Sequence, residues 1–384
     1  MSNRSNTSES IVIDKPGFWT AWKTFWFAPR QTLGLHAIRI LFGILLLCWL
    51  VPFAGYVDDF FGMNGWFDQA AFAEANQPGG ELIDSQSWSL LYLVAKNGPA
   101  LHAFYWSSLA VIVLFTLGFF TRITGVLTWL IVVSFTANPL IEVDTDVFMR
   151  MIAFYLMIAY LMLDLLRLDM LLLLHIVWLL FFWVFPVWLL LVCLLLIWLL
   201  FFWVFPARRD RTGDPYWQHL VSWNHWVGAM LKTKENSHRS SAATVVLRLL
   251  QVHFALAMVM MGLYKLQVAE WWGGVTFWYP MHRPGETTLE AINALRAKSE
   301  SYLMFISIAS YLVIIWQVFF PTFAWRGGLC RWILLGGALA GTVGLMVIYP
   351  IPLMGPVFLL LCLTYLADFE WFRIFSPLQR LVKG

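Results

Sequence analysis

Long apolar runs separated by short polar stretches dominate the chain from Leu33 onwards. A run of about 20 apolar residues, folded as an α-helix, matches the thickness of the hydrocarbon core of a bilayer. Because a helix satisfies its own backbone hydrogen bonds, each run is predicted to be a membrane-spanning helix. The predicted spans are Leu33–Ala54, Ala100–Phe120, Ile123–Ile141, Val147–Leu163, Met170–Phe185, Val187–Phe205, Ala243–Leu266, Tyr302–Phe320, Gly328–Tyr349 and Leu353–Ala367.

The pattern therefore predicts an all-α fold, a polytopic transmembrane helix bundle of about 8–10 spans. The range in this number comes from the hairpin of Met170–Phe185 and Val187–Phe205, in which WLLFFWVFP occurs twice at a period of 20 residues. Each copy ends in proline, which breaks a helix and suits a turn at the membrane edge. Low complexity of this kind carries no chemistry, so we interpret 168–206 as a hydrophobic insertion.

An aromatic segment precedes the first span. Gly17–Pro29 places Trp19, Trp22, Phe25 and Trp26 at roughly helical spacing. This spacing predicts an N-terminal interfacial helix at the depth of the lipid headgroups. The alternative is a short aromatic belt that extends the first span.

The charged residues predict how the chain is oriented. Arginine and lysine are concentrated in the N-terminal segment, in the loop 207–242 and near the C-terminus, whereas the alternate loops are acidic. By the positive-inside rule, both termini face the cytoplasm, in a membrane of the bacterial plasma (inner) type. The predicted parts are a polar cytoplasmic tail (1–16), the bundle (17–367) with a basic cytoplasmic loop (207–242) and an outer loop (267–301), and a cytoplasmic tail (368–384).

Composition excludes two other classes of protein. The chain is 60% hydrophobic and 12% charged, too few charges for a water-facing surface. The net charge is +3, and no basic run is interleaved with stacking aromatics, which argues against nucleic-acid binding. The four cysteines all lie within apolar runs, so we expect neither disulfides nor a metal site.

Polar residues inside the apolar runs are candidates for function, because a bilayer penalises them. Arg39 shares a face of the first span with His36; it either snorkels to the headgroups or points inward. Asp146 lies four residues before Arg150 at a helix start, where a surface ion pair is the simpler interpretation. In the span Ala243–Leu266, Gln251 lies nearly on one stripe with a lysine that is roughly 21 Å away along the helix.

That lysine, Lys265, begins the most unusual stretch of the chain, KLQVAEWWGGVTFWYPMH. Glu270, Trp271, Trp272 and His282 follow it in a turn rich in glycine and tryptophan. An interfacial anchor, with the lysine reaching the headgroups, is one interpretation. A functional lysine is the other.

Four segments in this order resemble the horizontally transferred transmembrane (HTTM) family, which is similar to the membrane portion of vitamin K-dependent γ-glutamyl carboxylase. They are WKTFWFAPRQTLGLHAIRILFG, FFGMNGWF, TANPLIEVDTDVFMR and GLYKLQVAEWWGG, and together they extend over most of Trp19–Gly274. The lysine of the family's lysine–leucine–tryptophan pattern falls on Lys265.

The resemblance implies a quinol-oxidising lyase at the outer membrane face. Its implied cofactors are reduced vitamin K or menaquinol, with O2 and CO2, and its partners are membrane lipids, a quinone and a carboxylate acceptor. Lys265 is implied to be the general base; desolvation among apolar neighbours favours the neutral amine that this role requires. Supporting roles are expected for Glu270, Trp271, Trp272, His282, Asp146, Gln251 and Arg39.

Two features depart from the family. The family's carboxylase has a large C-terminal lumenal region that engages protein substrates, and no such region is expected after the last predicted span. The hairpin also stands where the family has a shorter polar connection. The alternative function is a non-enzymatic lipid- or quinone-binding membrane protein, or a small-solute transporter.

Overall fold

The computed structural model describes residues 17–62, 65, 89–137, 144–165, 239–282, 288–290, 293–294, 300–349, 351–371 and 374. Over these residues the chain is a bundle of helices with one short two-stranded ladder. Six of the helices are long and apolar enough to cross a membrane. The predicted all-α, polytopic bundle is therefore confirmed. The hairpin 168–206, the N-terminal tail and most of the basic loop lie outside the described residues.

The helices are numbered here in chain order over the described residues. They are α1 (Phe18–Phe27), α2 (Leu33–Leu50), α3 (Val57–Phe61), α4 (Leu91–Val94), α5 (Gly98–Leu117), α6 (Thr121–Thr136), α7 (Asp144–Leu165), α8 (Ser241–Lys265), α9 (Ala269–Trp272), α10 (Trp278–Met281), α11 (Glu300–Val318), α12 (Phe320–Trp325), α13 (Leu329–Val347) and α14 (Met354–Leu363). A 3₁₀ helix, Val51–Gly55, extends α2. The strands are β1 (Arg30–Gln31) and β2 (Arg239–Ser240).

Each of the eight spans predicted outside the hairpin overlaps one of the helices α2, α5, α6, α7, α8, α11, α13 or α14. Local sequence sets several of the helix ends. At the start of α5 the side chain of Asn97 accepts a hydrogen bond from the backbone N–H of Ala100, 3.4 Å away. The same helix ends at Gly118, whose φ of 89° suits a glycine C-cap.

Helix α1 is separate from the first span. The chain between α1 and α2 contains β1, which pairs in antiparallel fashion with β2 at the start of α8. The side chains of Phe18 and Trp19 on α1 are 70% and 63% exposed. The aromatic segment is thus an individual helix that presents aromatic rings outward, as an interfacial helix requires, and is not an extension of α2.

The spans alternate in direction and give the bundle two ends of different charge. We call the end that carries Arg30, Arg122, Arg326 and Arg331 the basic end. The other, the acidic end, carries Asp58, Asp59, Asp144 and Glu270. Strands β1 and β2 lie at the basic end, and Lys265 closes α8 at the acidic end.

Helices α7 and α8 form the centre of the bundle. Aromatic rings pack edge to face where these helices meet α12 and α14: Phe148 lies 5.0 Å from Phe358, and Phe254 lies 5.2 Å from Phe320. Helices α11 and α13 are peripheral, because only 22% and 17% of the residues in their most apolar stretches are buried. Their exposed apolar side chains suit contact with lipid. The protein is thus an integral, multi-pass membrane protein.

Candidate functional site

The side chain of Lys265 lies at the acidic end of the bundle, where α8 ends next to α7. It is the last residue of α8 and is partly buried. Its Nζ is 5.0 Å from the centroid of the Trp271 ring, within the range of a cation–π interaction. The carboxylate of Asp144, the first residue of α7, interacts electrostatically with the same amine. Burial penalises the ammonium ion while the ring and the carboxylate attract it, so opposing influences meet on one group.

A short turn brings Trp271 back over the lysine. Chain reversal after α8 leads into α9, and the hydroxyl of Tyr311 on α11 donates to the carbonyl oxygen of Trp272 at 2.6 Å. The indole N–H of Trp272 in turn donates to the carbonyl oxygen of Leu266. These bonds fix the turn against both α8 and α11.

Gly274 allows the turn to pack closely on α11. Its φ is +66°, a conformation that costs little only for glycine. A Cβ at this position would lie 2.9 Å from the side chain of Ser307. Position 274 thus requires glycine both for its positive φ and for its close approach to Ser307.

The surface around Lys265 is apolar and open. Tyr264 and Trp272 are 68% and 61% exposed. Exposed apolar side chains of this kind suit contact with lipid. The arrangement combines one ionisable nitrogen with aromatic surface, which is suited to holding a ring that bears a polar hydroxyl.

The other candidates of the turn have separate surroundings. Glu270 is exposed. The ring of His282 stacks on Trp278 at 3.9 Å, and its Nδ1 donates to the carbonyl oxygen of the same tryptophan at 3.0 Å. Tyr302 also packs against the His282 ring. The structure therefore brings Trp271 to Lys265 and places His282 in an aromatic cluster of its own.

Asp146 is buried in the first turn of α7, 6% exposed. Arg150 Nε donates to the backbone carbonyl oxygen of Asp146 at 3.4 Å. From the sequence, Asp144 belongs simply to an acidic loop. Only the packing of α7 against α8 brings its carboxylate towards Lys265. Asn138 and Glu142, which belong to the segment TANPLIEVDTDVFMR, lie outside the described residues.

Gln251 belongs to a different structure near the basic end. Its Nε2 donates to the carbonyl oxygen of Thr364 at 2.6 Å, and its Oε1 accepts from Arg248 Nη1 at 2.9 Å. The hydroxyl of Tyr365 donates to the backbone oxygen of Gln251. The Arg248 guanidinium also lies 4.3 Å from the centroid of the Phe25 ring on α1. We call these residues the Gln251 network; they join α8 to α1 and to the chain that follows α14.

Arg39 points inward. Its side chain is fully buried, 0% exposed, and its guanidinium carbon lies 5.3 Å from the centroid of the Tyr160 ring on α7. One helical turn away on α2, His36 Nδ1 is hydrogen-bonded to the Tyr160 hydroxyl at 2.7 Å. The sequence identified Arg39 and His36 as neighbours on one face. The sequence did not identify Tyr160 as their partner, because it lies within an apolar run, and its contacts with them depend on the packing of α2 on α7.

Comparison with known proteins adds no relative: no family model matches the chain, and neither a curated protein nor a solved structure matches it.

Proposed function

We propose that this membrane protein is a quinol-oxidising enzyme of the vitamin K-dependent carboxylase type, with the HTTM family as its relatives and Lys265 as its general base. One observation supports the proposal above the others. A partly buried lysine amine lies at the end of a spanning helix, against an indole ring and within the electrostatic influence of a carboxylate, where exposed aromatic side chains are also found.

The residues around Lys265 fit a reduced naphthoquinone. Tyr264 and Trp272 offer exposed aromatic surface to a flat ring, and the amine offers a nitrogen to its hydroxyl group. When bound, a reduced naphthoquinone with O2 supplies the strong base that a carboxylase needs to remove a proton from an acceptor, which then takes up CO2. Menaquinol and reduced vitamin K both carry this ring.

The chain's own residues hold and move one proton. In its neutral form, Lys265 accepts a proton at Nζ from a bound hydroxyl group, so that one O–H bond breaks and one N–H bond forms. The Trp271 ring and the Asp144 carboxylate then stabilise the ammonium ion that results. The bonded turn of Tyr311 and Trp272 keeps the indole in place during this step.

The proposed orientation places this chemistry outside the cytoplasm. The positive-inside rule assigns the basic end to the cytoplasm of a bacterial-type plasma membrane. Lys265 then faces the opposite side, where the resemblance also places the reaction. Reaction of membrane vesicles with an impermeant amine reagent, before and after permeabilisation, tests the side on which Lys96 at the acidic end is exposed.

Lys265→Met is expected to reduce epoxide formation by about 100-fold or more, because a positioned general base contributes at least that factor. The protein is reconstituted in lipid nanodiscs with chemically reduced phylloquinone or menaquinone and O2, and the epoxide is quantified by chromatography. The matched control is Lys96→Met, which removes an exposed lysine at the same end. This control should retain the wild-type rate.

The result of this assay distinguishes an enzyme from a protein that only binds quinone. If wild-type protein forms no epoxide, or if Lys265→Met forms it at the wild-type rate, the enzyme proposal is wrong. Quinol binding without epoxide would identify a quinone-binding protein that performs no chemistry. Incorporation of labelled CO2 into an added carboxylate acceptor, dependent on Lys265, would support the carboxylase step itself.

A further inference from the structure

The buried guanidinium of Arg39 lacks a counter-charge within the described part of the chain. Its Nε, Nη1 and Nη2 are all inaccessible to solvent, and none of them has a hydrogen-bond acceptor there. An arginine cannot lose its charge by deprotonation, as a buried lysine or histidine can. A cation that is removed from water and has no acceptor is strongly destabilising, so Arg39 requires an anionic partner.

The described neighbours of Arg39 do not meet this requirement. Tyr160 presents its ring face and a hydroxyl that is bonded to His36 and also interacts with Arg39, but this hydroxyl is neutral and supplies no counter-charge. Phe115 on α5 packs edge-on against Tyr160 with the ring centroids 6.2 Å apart. A ring face attracts a cation, but it accepts none of the five guanidinium N–H bonds.

The position of Arg39 indicates where its partner comes from. Arg39 is the seventh residue of α2, which begins at Leu33 at the basic end, so its Cα lies about 9 Å along the helix axis. Side chains on a helix lean towards its N-terminus, which carries the guanidinium back towards the basic end. The basic end is thus the nearer end of the bundle for an incoming anion, and the planar guanidinium matches a phosphate group through paired hydrogen bonds.

We propose that a phosphate group binds at Arg39, between α2 and α7 near the basic end. The shared chemistry is that of a phosphate oxyanion, carried by a lipid headgroup or free in solution. The site is independent of the proton chemistry at Lys265, which lies at the acidic end. It gives the bundle a bound anion that neutralises its buried cation and ties α2 to α7.

Thermal unfolding and native mass spectrometry of delipidated protein in a neutral detergent test the proposal. Three probes are compared: short-chain phosphatidylglycerol, short-chain diacylglycerol without phosphate, and inorganic phosphate. Wild-type protein should bind one phosphatidylglycerol and unfold at a higher temperature in its presence, whereas diacylglycerol should have no effect. Equal stabilisation by inorganic phosphate would identify the free ion as the source, and stabilisation by phosphatidylglycerol alone would identify lipid.

Arg39→Gln should weaken phosphatidylglycerol binding by at least about tenfold. Without added phosphate this variant should unfold at the same temperature as wild type or higher, because it no longer buries an unpaired charge. Arg326→Gln, which alters an exposed arginine at the same end, is the matched control and should bind as wild type does. Wild-type affinity in Arg39→Gln, or no response of the wild-type protein to either phosphate probe, would overturn the proposal.

A carboxylate within the chain is the rival partner. Asp164 follows Tyr160 by four residues in the sequence. If Asp164→Asn destabilises the delipidated protein and the added substitution Arg39→Gln restores its stability, the two side chains form an ion pair and no phosphate is needed. If Asp164→Asn leaves stability and phosphatidylglycerol binding unchanged, the phosphate assignment is supported.

Discussion

Gln251→Leu is expected to lower the free energy of unfolding by about 3 kcal/mol. The leucine fills a similar volume but cannot accept the hydrogen bond of Arg248, which is only 9% exposed. The carbonyl oxygen of Thr364 also loses the donor that reaches it at 2.6 Å. The loss is large because a buried cation and a buried carbonyl group both lose a hydrogen-bond partner.

Reversible unfolding in mixed micelles with increasing SDS measures this change. Gln267→Leu is the control, because the side chain of Gln267 is exposed beyond the end of α8. It should remain within about 0.5 kcal/mol of wild type, as surface substitutions do. Equal stability of Gln251→Leu and wild type would show that the Gln251 network contributes nothing to the fold.

The same variant tests whether Gln251 supports the chemistry at Lys265. The two residues are 14 positions apart on α8, or about 21 Å along its axis. Epoxide formation per folded molecule should therefore equal that of wild type. A fall in this rate, with the folded fraction held constant, would show that Gln251 contributes to the reaction at Lys265.

Gly355→Ala is expected to destabilise the protein by about 2 kcal/mol, through overpacking of α14 against α13. A Cβ on Gly355 would lie 2.7 Å from the Cα of Thr342 and 2.9 Å from its carbonyl oxygen. Both are backbone atoms, so no side-chain rotation can relieve the contact. The helices must move apart, which also strains the hydrogen bond from Thr342 Oγ1 to the carbonyl oxygen of Gly355.

Gly341→Ala supplies the matched control for this substitution. Gly341 lies on α13, next to Thr342 in sequence, and a Cβ there would meet nothing within 4 Å. Alanine should leave stability unchanged or raise it by up to about 1 kcal/mol, because it forms helix better than glycine. Similar losses from the two substitutions would mean that helix propensity, and not the close approach of α13 and α14, governs the result.

The spans could be predicted from the sequence because the membrane imposes one pattern, a long apolar run with an internally bonded backbone. The ends were harder to predict. The third span was predicted to reach Ile141, but α6 ends at Thr136. Asn138 precedes Pro139, and a residue before proline disfavours the helical conformation. The prediction missed this end because it relied on hydropathy, which does not detect the effect of proline. Similarly, the run predicted to reach Ala54 changes from α-helix to 3₁₀ helix after Leu50, where Pro52 follows.

The candidate site was harder to predict, because it depends on contacts between distant segments. Helical spacing placed Gln251 and Lys265 nearly on one stripe. In the structure, Gln251 donates a hydrogen bond to the backbone carbonyl group of Thr364, whereas Lys265 lies against the ring of Trp271. Backbone acceptors such as the oxygen of Thr364 have no sequence signature. The spacing of His36 and Arg39 did identify a shared face, and packing on α7 decided that this face points inward.

The pairing of β1 with β2 has a consequence for biosynthesis. Gln31 pairs with Arg239, so the two strands are separated by about 200 residues of chain. At a ribosomal rate of about 5–20 residues per second, the first strand waits roughly 10–40 s for its partner to be made. Thr244, which joins the strand region to α8 through Ala28 and Arg30, is synthesised just as late. The aromatic helix α1 therefore docks on α8 only after the first four described spans have left the ribosome.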